Sequence, residues 1–332
     1  MGNPDKLKLA KEFGHKAIAF AIARVPESMR VYLGGSDFKV YEADLAAAKF
    51  EPKELYAHES YVTGVTLAGT TLVTGGYDGK LTWYDTAAKK IIRSEVAHAK
   101  WIRRVASSPN GKVVASVADD MVCRVWDAAT GKQIHELRGH AEKTPNGFGS
   151  MLYAVMFSPD GKHLATADKV AKVKVWEVES GKPVAEVEAP TMYTWDPVQR
   201  LHSIGGVRSL AFSPDGKTLA VGGIGKIGNI DHLEANARVE LFDWAGQKRL
   251  SEFAADKSKG IVNRLQFAPD GSWLLAAGGG NEGFLLILDK DARKTLRQEK
   301  VGAHIHDAAL DEKAETIILA GHNKVVVFEM KG

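Results

Sequence analysis

Short apolar runs broken by turn residues recur along this chain, and the clearest set lies near its first third. Val105 and Ala106 lead into Ser107-Ser108-Pro109-Asn110-Gly111-Lys112, and a second apolar run with one serine, residues 113–117, follows. Asp119-Asp120 end it, and Val122-Cys123-Arg124-Val125-Trp126-Asp127 makes a third run. A fourth, residues 133–137, precedes Gly139-His140. Runs of about five residues bounded by Gly, Pro, Asn and Asp predict strands, and turns this short predict antiparallel pairing. The stretch from His98 to His140 therefore reads as one four-stranded sheet. Such a sheet has two open edges and two apolar faces, so it cannot bury itself. The rest of the chain must supply copies of it.

The copies are there. Phe157-Ser158-Pro159-Asp160-Gly161-Lys162, Phe212-Ser213-Pro214-Asp215-Gly216-Lys217 and Phe267-Ala268-Pro269-Asp270-Gly271 repeat the first turn. Tyr84-Asp85, Trp176-Glu177, Phe242-Asp243, Leu288-Asp289 and Phe328-Glu329 repeat the end of the third strand. With its Gly-His and Trp-Asp signatures, the stretch resembles a blade of the WD40 family, and the resemblance extends over almost the entire chain. It implies an all-β protein, a seven-bladed WD40 β-propeller forming a single domain over 1–332. The blades fall near 15–57, 58–97, 98–139, 140–190, 202–254, 258–301 and 302–330. The spacing of the later cores exceeds the ~40–45 residues usual for this repeat, so the excess belongs in loops.

Two ends of the pattern are irregular. Residues 5–13 alternate (Leu7, Leu9, Phe13) and end at Gly14-His15 with no blade before them, while the last blade stops after three strands. Residues 6–13 are therefore expected to complete the last blade, closing the ring and hiding both edges. In the first blade Ala43 holds the tryptophan place, with Asp37 and Asp44 at the turn and post-tryptophan positions. In the fourth, Val170 falls where the turn aspartate belongs, and Asp168 is expected to substitute in a reshaped hairpin.

The resemblance also implies a buried hydrogen-bond chain in each good blade, running from Trp through Ser or Thr and His to Asp. Carried over, it comprises Trp126, Ser116, His98 and Asp120 in the third blade, and Tyr84, Thr74, His58 and Asp78 in the second. A hydrolase would use the same residue types as a triad. Repetition of the set speaks for structure instead, and no Gly-x-Ser-x-Gly nucleophile elbow occurs.

Composition narrows the function classes. The 332 residues carry a formal charge of +3 with the two signs interspersed, which argues against nucleic acid or a membrane surface as partner. The lone cysteine, Cys123, excludes an intramolecular disulfide and favours a cytoplasmic setting; its mid-strand position reads as a buried structural thiol. No apolar run approaches the ~18 residues of a membrane span, and the polar start does not resemble a signal peptide.

Candidate chemistry is sparse. His304 and His306 share one face of an extended segment, as metal ligands can, yet one of them falls where each blade keeps its structural histidine, so no metal is expected. Gly222-Gly223-Ile224-Gly225-Lys226-Ile227-Gly228 lacks the Ser or Thr and the helix of a phosphate loop, and Gly278-Gly279-Gly280-Asn281-Glu282-Gly283 reads as a turn between strands. No cofactor is expected. In this family partners dock on the top face, formed by the loops between strands d and a and between b and c. Three insertions fall in such loops: residues 141–150, residues 189–206 (with Met192, Tyr193, Trp195, Arg200 and His202) and residues 223–237 (with Lys226, Asp231 and His232). The strand-a starts add Tyr61, Trp101, Arg103, Arg104, Tyr153, Arg208, Asn263, Arg264 and His306. Aromatics mixed with arginines suit interface hot spots. The expected function is a non-catalytic scaffold, monomeric by itself, that binds a protein or peptide on this face, centred near blades three to five. A hydrolytic or metal-dependent propeller enzyme, or a small-ligand sensor with a site at the channel mouth, is the alternative.

Overall fold

The structure, a computed structural model, describes residues 1–198, 201–228 and 234–331. Among them are seven four-stranded antiparallel sheets and one two-stranded hairpin, the all-β architecture of a seven-bladed propeller. The chain divides into two compact units, residues 1–139 with 306–332, and residues 140–305.

The first unit holds blades one, two, three and seven. Blade three is made of Ile102–Ser107, Val113–Ala118, Cys123–Asp127 and Gln133–Leu137, in that spatial order. Its second strand is buried on both faces, whereas its fourth is mostly exposed. That gradient is why the second strand reads as a continuous apolar run and the fourth does not. Trp83 of blade two meets Trp126 of blade three edge-on at 5.9 Å, in a cluster with Val73, Leu81, Ile102 and Val114.

The turn between strands a and b explains its own sequence. Ser158 Oγ donates to Asp160 Oδ1 (2.6 Å) and accepts the His163 N–H (2.9 Å), while the Lys162 N–H reaches Asp160 Oδ1 at 3.0 Å. Gly161 takes φ +70°, a conformation in which a side chain is strained. Ser213, Asp215 and Gly216 repeat the arrangement in blade five.

Lys8–Gly14 is the outer strand of the sheet that contains blade seven. It pairs antiparallel with Lys324–Glu329, Leu9 opposite Phe328 and Phe13 opposite Val325. The strand begins at Lys8 and not at residue 5 or 6, because Pro4–Lys6 forms a 3₁₀ turn capped by Asn3, whose Oδ1 accepts the Asp5 N–H at 2.9 Å. The second unit holds blades four, five and six and the hairpin Tyr193–Asp196 with His202–Gly205. Thr194 Oγ1 accepts the Ile227 N–H at 3.0 Å, and Ile204, Ile224, Ile227, Ala235 and Ile261 pack together beside it. The two longest insertions thus share an apolar anchor.

Candidate partner-binding surface

The polar groups inside the blades form chains. In blade three Trp126 Nε1 donates to Ser116 Oγ (3.0 Å), which lies 2.7 Å from His98 Nε2, and His98 Nδ1 lies 3.1 Å from both oxygens of Asp120. With Nδ1–H donating to the carboxylate, Nε2 accepts the serine proton and all four side chains are satisfied by a neutral imidazole. Burial pulls His98 below the usual histidine range, against the raising effect of Asp120. Burial alone would raise Asp120, but His98 and then Arg124 outweigh it and hold the carboxyl below its ordinary value. Ser116 is 0 % exposed, so no substrate reaches its hydroxyl.

Blade four keeps the chain by a different route. His140 lies 2.8 Å from Thr166 and 2.8 Å from Asp168, and Trp176 Nε1 donates to Thr166 at 2.8 Å. Asp168 stands at the end of strand b, and its second oxygen accepts the Val170 and Lys172 N–H groups, both at 3.0 Å. Blade two departs from the residues named for it. His58 meets Thr74 (2.8 Å) and Asp78 (3.0 Å), but the hydroxyl on Thr74 is that of Tyr56, at 3.0 Å, from the outer strand of blade one. Tyr84 meets the Tyr56 ring at 5.1 Å, the two planes tilted by 32°. An indole carries its donor on the side of the ring and a phenol at its tip, so a tyrosine in the tryptophan place does not repeat the indole's bond to the threonine.

In five blades strand a carries one bulge at a fixed place, whereas in blade five its pairing with strand b is regular. The register with strand b slips between Ala19 and Ala21, Val62 and Gly64, Ile102 and Arg104, Leu152 and Ala154, and Val262 and Arg264. The extra residues are Phe20, Thr63, Arg103, Tyr153 and Asn263. A bulge re-aims a side chain out of the ladder. In the first unit this assembles an aromatic row. Phe38 meets Tyr61 (5.5 Å between ring centroids), Tyr61 meets Tyr77 (5.7 Å), and Tyr77 stacks on Trp101 at 4.5 Å with ring planes 2° apart. Phe20 adjoins Tyr61 at 5.6 Å. Phe38, Tyr61 and Trp101 are 39 %, 40 % and 49 % exposed, high for rings of this size in mutual contact. Arg103 braces the row: its guanidinium lies over Tyr77 and Trp101, Nη1 donates to the Tyr77 hydroxyl, and Nε and Nη2 bind both oxygens of Asp119 at 2.7 and 2.6 Å.

Comparison with known proteins bears on the repeats that build this row. The model of the WD domain, G-beta repeat, matches residues 51–85, 89–127, 131–177, 195–226 and 247–286, more than half of the chain. The chain belongs to the WD40 family. It is 29 % identical over 124 residues to the nuclear distribution protein PAC1 of Gibberella zeae, covering 35 % of this chain and 25 % of that protein. It is 29 % identical over 157 residues to the WD repeat-containing protein VIP3 of Arabidopsis thaliana, covering 41 % and 48 %. With the Striatin homolog of Dictyostelium discoideum it shares 31 % over 71 residues, covering 21 % and 9 %. The chain spans about a quarter of the length of the nuclear distribution proteins it matches. The family match starts at residue 51 and ends at residue 286, yet blades one and seven of this WD40 chain are complete four-stranded sheets.

The other candidate residues of the WD40 surface are distributed unevenly. Arg104 turns inward, its Nη2 2.6 Å from buried Asp307, which also accepts the Ile22 N–H at 3.1 Å. The charge of Arg104 is therefore paired inside the unit. His306 packs between Phe20 (5.0 Å) and His322 (4.9 Å). In the second unit Arg208 lies 3.3 Å over the Tyr153 ring, and Trp195 meets Phe148 of the 141–150 loop at 5.3 Å. Asn263 donates to the Ile305 carbonyl and lies 2.8 Å from His304, whose Nδ1 donates to the Gly280 carbonyl. Arg264 is half-buried beside it, opposite Ala277. Asp37 of blade one accepts the Tyr41 hydroxyl at 2.5 Å. Burial raises the Cys123 thiol far above its usual range, so it stays protonated. Among the described residues no three His, Cys, Asp or Glu side chains converge as metal ligands, and no helix is long and apolar enough to cross a membrane. Arg200, Asp231 and His232 lie outside the described residues.

Phe38 and Tyr77 were not among the sequence candidates. Both sit in b–c turns beside Asp37 and Asp78, where an aromatic in place of a small or polar turn residue was the available signal.

Proposed function

We propose that this WD40 chain is a non-catalytic interaction module that holds a protein or peptide segment against the row formed by Phe38, Tyr61, Tyr77 and Trp101. The row lies on the d–a and b–c loops, the family's docking face, and its exposure is the observation that carries the reading. Large rings that contact each other while staying nearly half open are unused burial, and covering them with a partner's apolar or proline side chains recovers it. Arg103 is neutralised by Asp119, so the row itself offers an apolar contact without net charge.

The hydrolase alternative is disfavoured by the burial of Ser116 between Trp126 and His98 and by the repetition of the same chain on Thr166. Replacing Phe38 with a photo-reactive phenylalanine analogue tests the placement. Cross-links to a peptide or protein partner are expected from position 38 and not from an analogue placed at Lys162, which stands in an a–b turn. Cross-linking from 162 alone contradicts the proposal.

A further inference from the structure

The place occupied by Asp119 in blade three is occupied by Tyr77, Lys169 and Ile224 in blades two, four and five. The equivalence follows from the Tyr77, Asp119 and Lys169 N–H groups, which donate to the Tyr61, Trp101 and Met151 carbonyls, and from Ser209 pairing with Gly222 in blade five. Counted back from the same pair, Arg208 stands in the place of Arg103. In blade three the two places neutralise each other, since Arg103 binds both oxygens of Asp119. Blade five offers Arg208 the apolar Ile224, and the turn of the preceding blade offers Lys169, a second cation.

The chain brings these two to one corner of the second unit. Gly206 lies so close to Lys169 that a Cβ on it would come within 2.7 Å of the Lys169 Cα, and the Val207 N–H donates to the Asp168 carbonyl at 3.3 Å. Arg208 leaves that corner with its guanidinium 3.3 Å over Tyr153. Lys169 is only 7 % exposed. Among the described residues neither its ammonium nor the Arg208 guanidinium has a carboxylate or a hydrogen-bond acceptor; the nearest acid in sequence, Asp168, is engaged by His140, Val170 and Lys172.

We propose that Lys169 and Arg208 form an oxyanion-binding site that takes a phosphate or carboxylate group. Arg208 supplies a planar fork for two oxygens, held in place by the Tyr153 face, and Lys169 supplies a point charge. The site is separate from the aromatic row and does not depend on it.

The full chain is titrated with inorganic phosphate and, separately, with succinate, at constant ionic strength set with chloride, and its melting temperature and heat of binding are followed. A saturable rise with phosphate, succinate or both is expected, and the anion that gives it identifies the source chemistry. Lys169→Met and Arg208→Met should each weaken that response at least about tenfold, the loss of one charge-assisted contact. Arg208→Lys, which keeps the charge and loses the fork, should fall between. Lys162→Met, at an exposed turn, should respond as wild type. Lys169→Met keeps the side-chain volume and removes no ion pair, so it is expected to melt no lower than wild type in anion-free buffer and decides the matter even if Arg208→Met fails to fold. A wild type without a saturable response, an undiminished response in Lys169→Met, or a lower melting temperature of that variant in anion-free buffer overturns the proposal.

Discussion

The hydroxyl of Tyr56 lies 3.0 Å from Thr74 Oγ1 and completes, from the outer strand of blade one, the polar chain of blade two. It occupies the role that Trp126 plays for Ser116 within blade three. Removing that hydroxyl leaves Thr74 one partner short inside the unit, while His58 keeps Thr74 and Asp78. Tyr56→Phe should therefore lower unfolding free energy by about 1–2 kcal/mol. Tyr84→Phe, whose hydroxyl makes no contact with Thr74, should stay within about 0.5 kcal/mol of wild type. Urea midpoints of the two variants check the order.

Asp168 offers a sharper contrast. Its side chain is buried and holds His140 with one oxygen and two turn amides with the other. Asp168→Ala should cost about 3 kcal/mol or more, because a histidine and two N–H groups lose their acceptor together. Asp120→Ala, at a more open site, should cost about 1–3 kcal/mol, and Val170→Ala should disturb no polar chain. Equal small effects of Asp168→Ala and Val170→Ala in thermal unfolding would refute the assignment.

These chains also show what a sequence carries. The Ser-Pro-Asp-Gly turns were legible because their whole mechanism lies within about six residues, from Ser158 to His163. The aspartate exchange at Asp168 was legible because Val170 broke a local pattern. Tyr56 was not, since it enters from another blade, and neither was the pairing of Arg104 with Asp307 across 203 positions. The aromatic row was half legible: Tyr61 and Trp101 follow from the loop class, whereas Phe38 and Tyr77 join through side-chain contacts between successive blades. Arg104, expected on the docking face from its position in strand a, turns inward because the bulge at Arg103 sends successive side chains in different directions.

Acid should loosen the fold in two stages. Burial lowers His98 and His15 below the ordinary value of 6.5, so the unfolded chain binds protons that the folded chain resists. Stability contributed by keeping them neutral is present above about pH 6.5 and is lost as pH falls below it. Asp120 is held below its ordinary 3.8, so its contribution is present above that value and disappears in stronger acid. Urea midpoints at pH 7.5, 6.0 and 5.0 should fall in that order, and His98→Asn should flatten the first stage. A midpoint that rises toward pH 5.0 would contradict this.

Strand Lys8–Gly14 covers the outer edge of Lys324–Glu329. Deleting residues 1–13 uncovers a strand containing Val325, Val326, Val327 and Phe328, and exposed apolar edges pair with other chains. The truncated protein should melt at a lower temperature and form larger species in light scattering. An unchanged melting temperature would show that the pairing contributes nothing to the fold.

The central claim, a non-catalytic binding surface on the aromatic row, is tested most directly by one affinity measurement. A partner recovered with the full chain is purified, and its Kd is measured for wild type, Trp101→Ala, Phe38→Ser and Lys162→Glu, with melting temperatures alongside. Truncating a central ring of an interface typically costs about 2 kcal/mol, or roughly 30-fold in Kd. Trp101→Ala and Phe38→Ser should each weaken binding by about that factor while melting as wild type does, and Lys162→Glu should bind normally. If both aromatic variants hold the partner as tightly as wild type while Lys162→Glu releases it, the partner binds elsewhere and the claim fails.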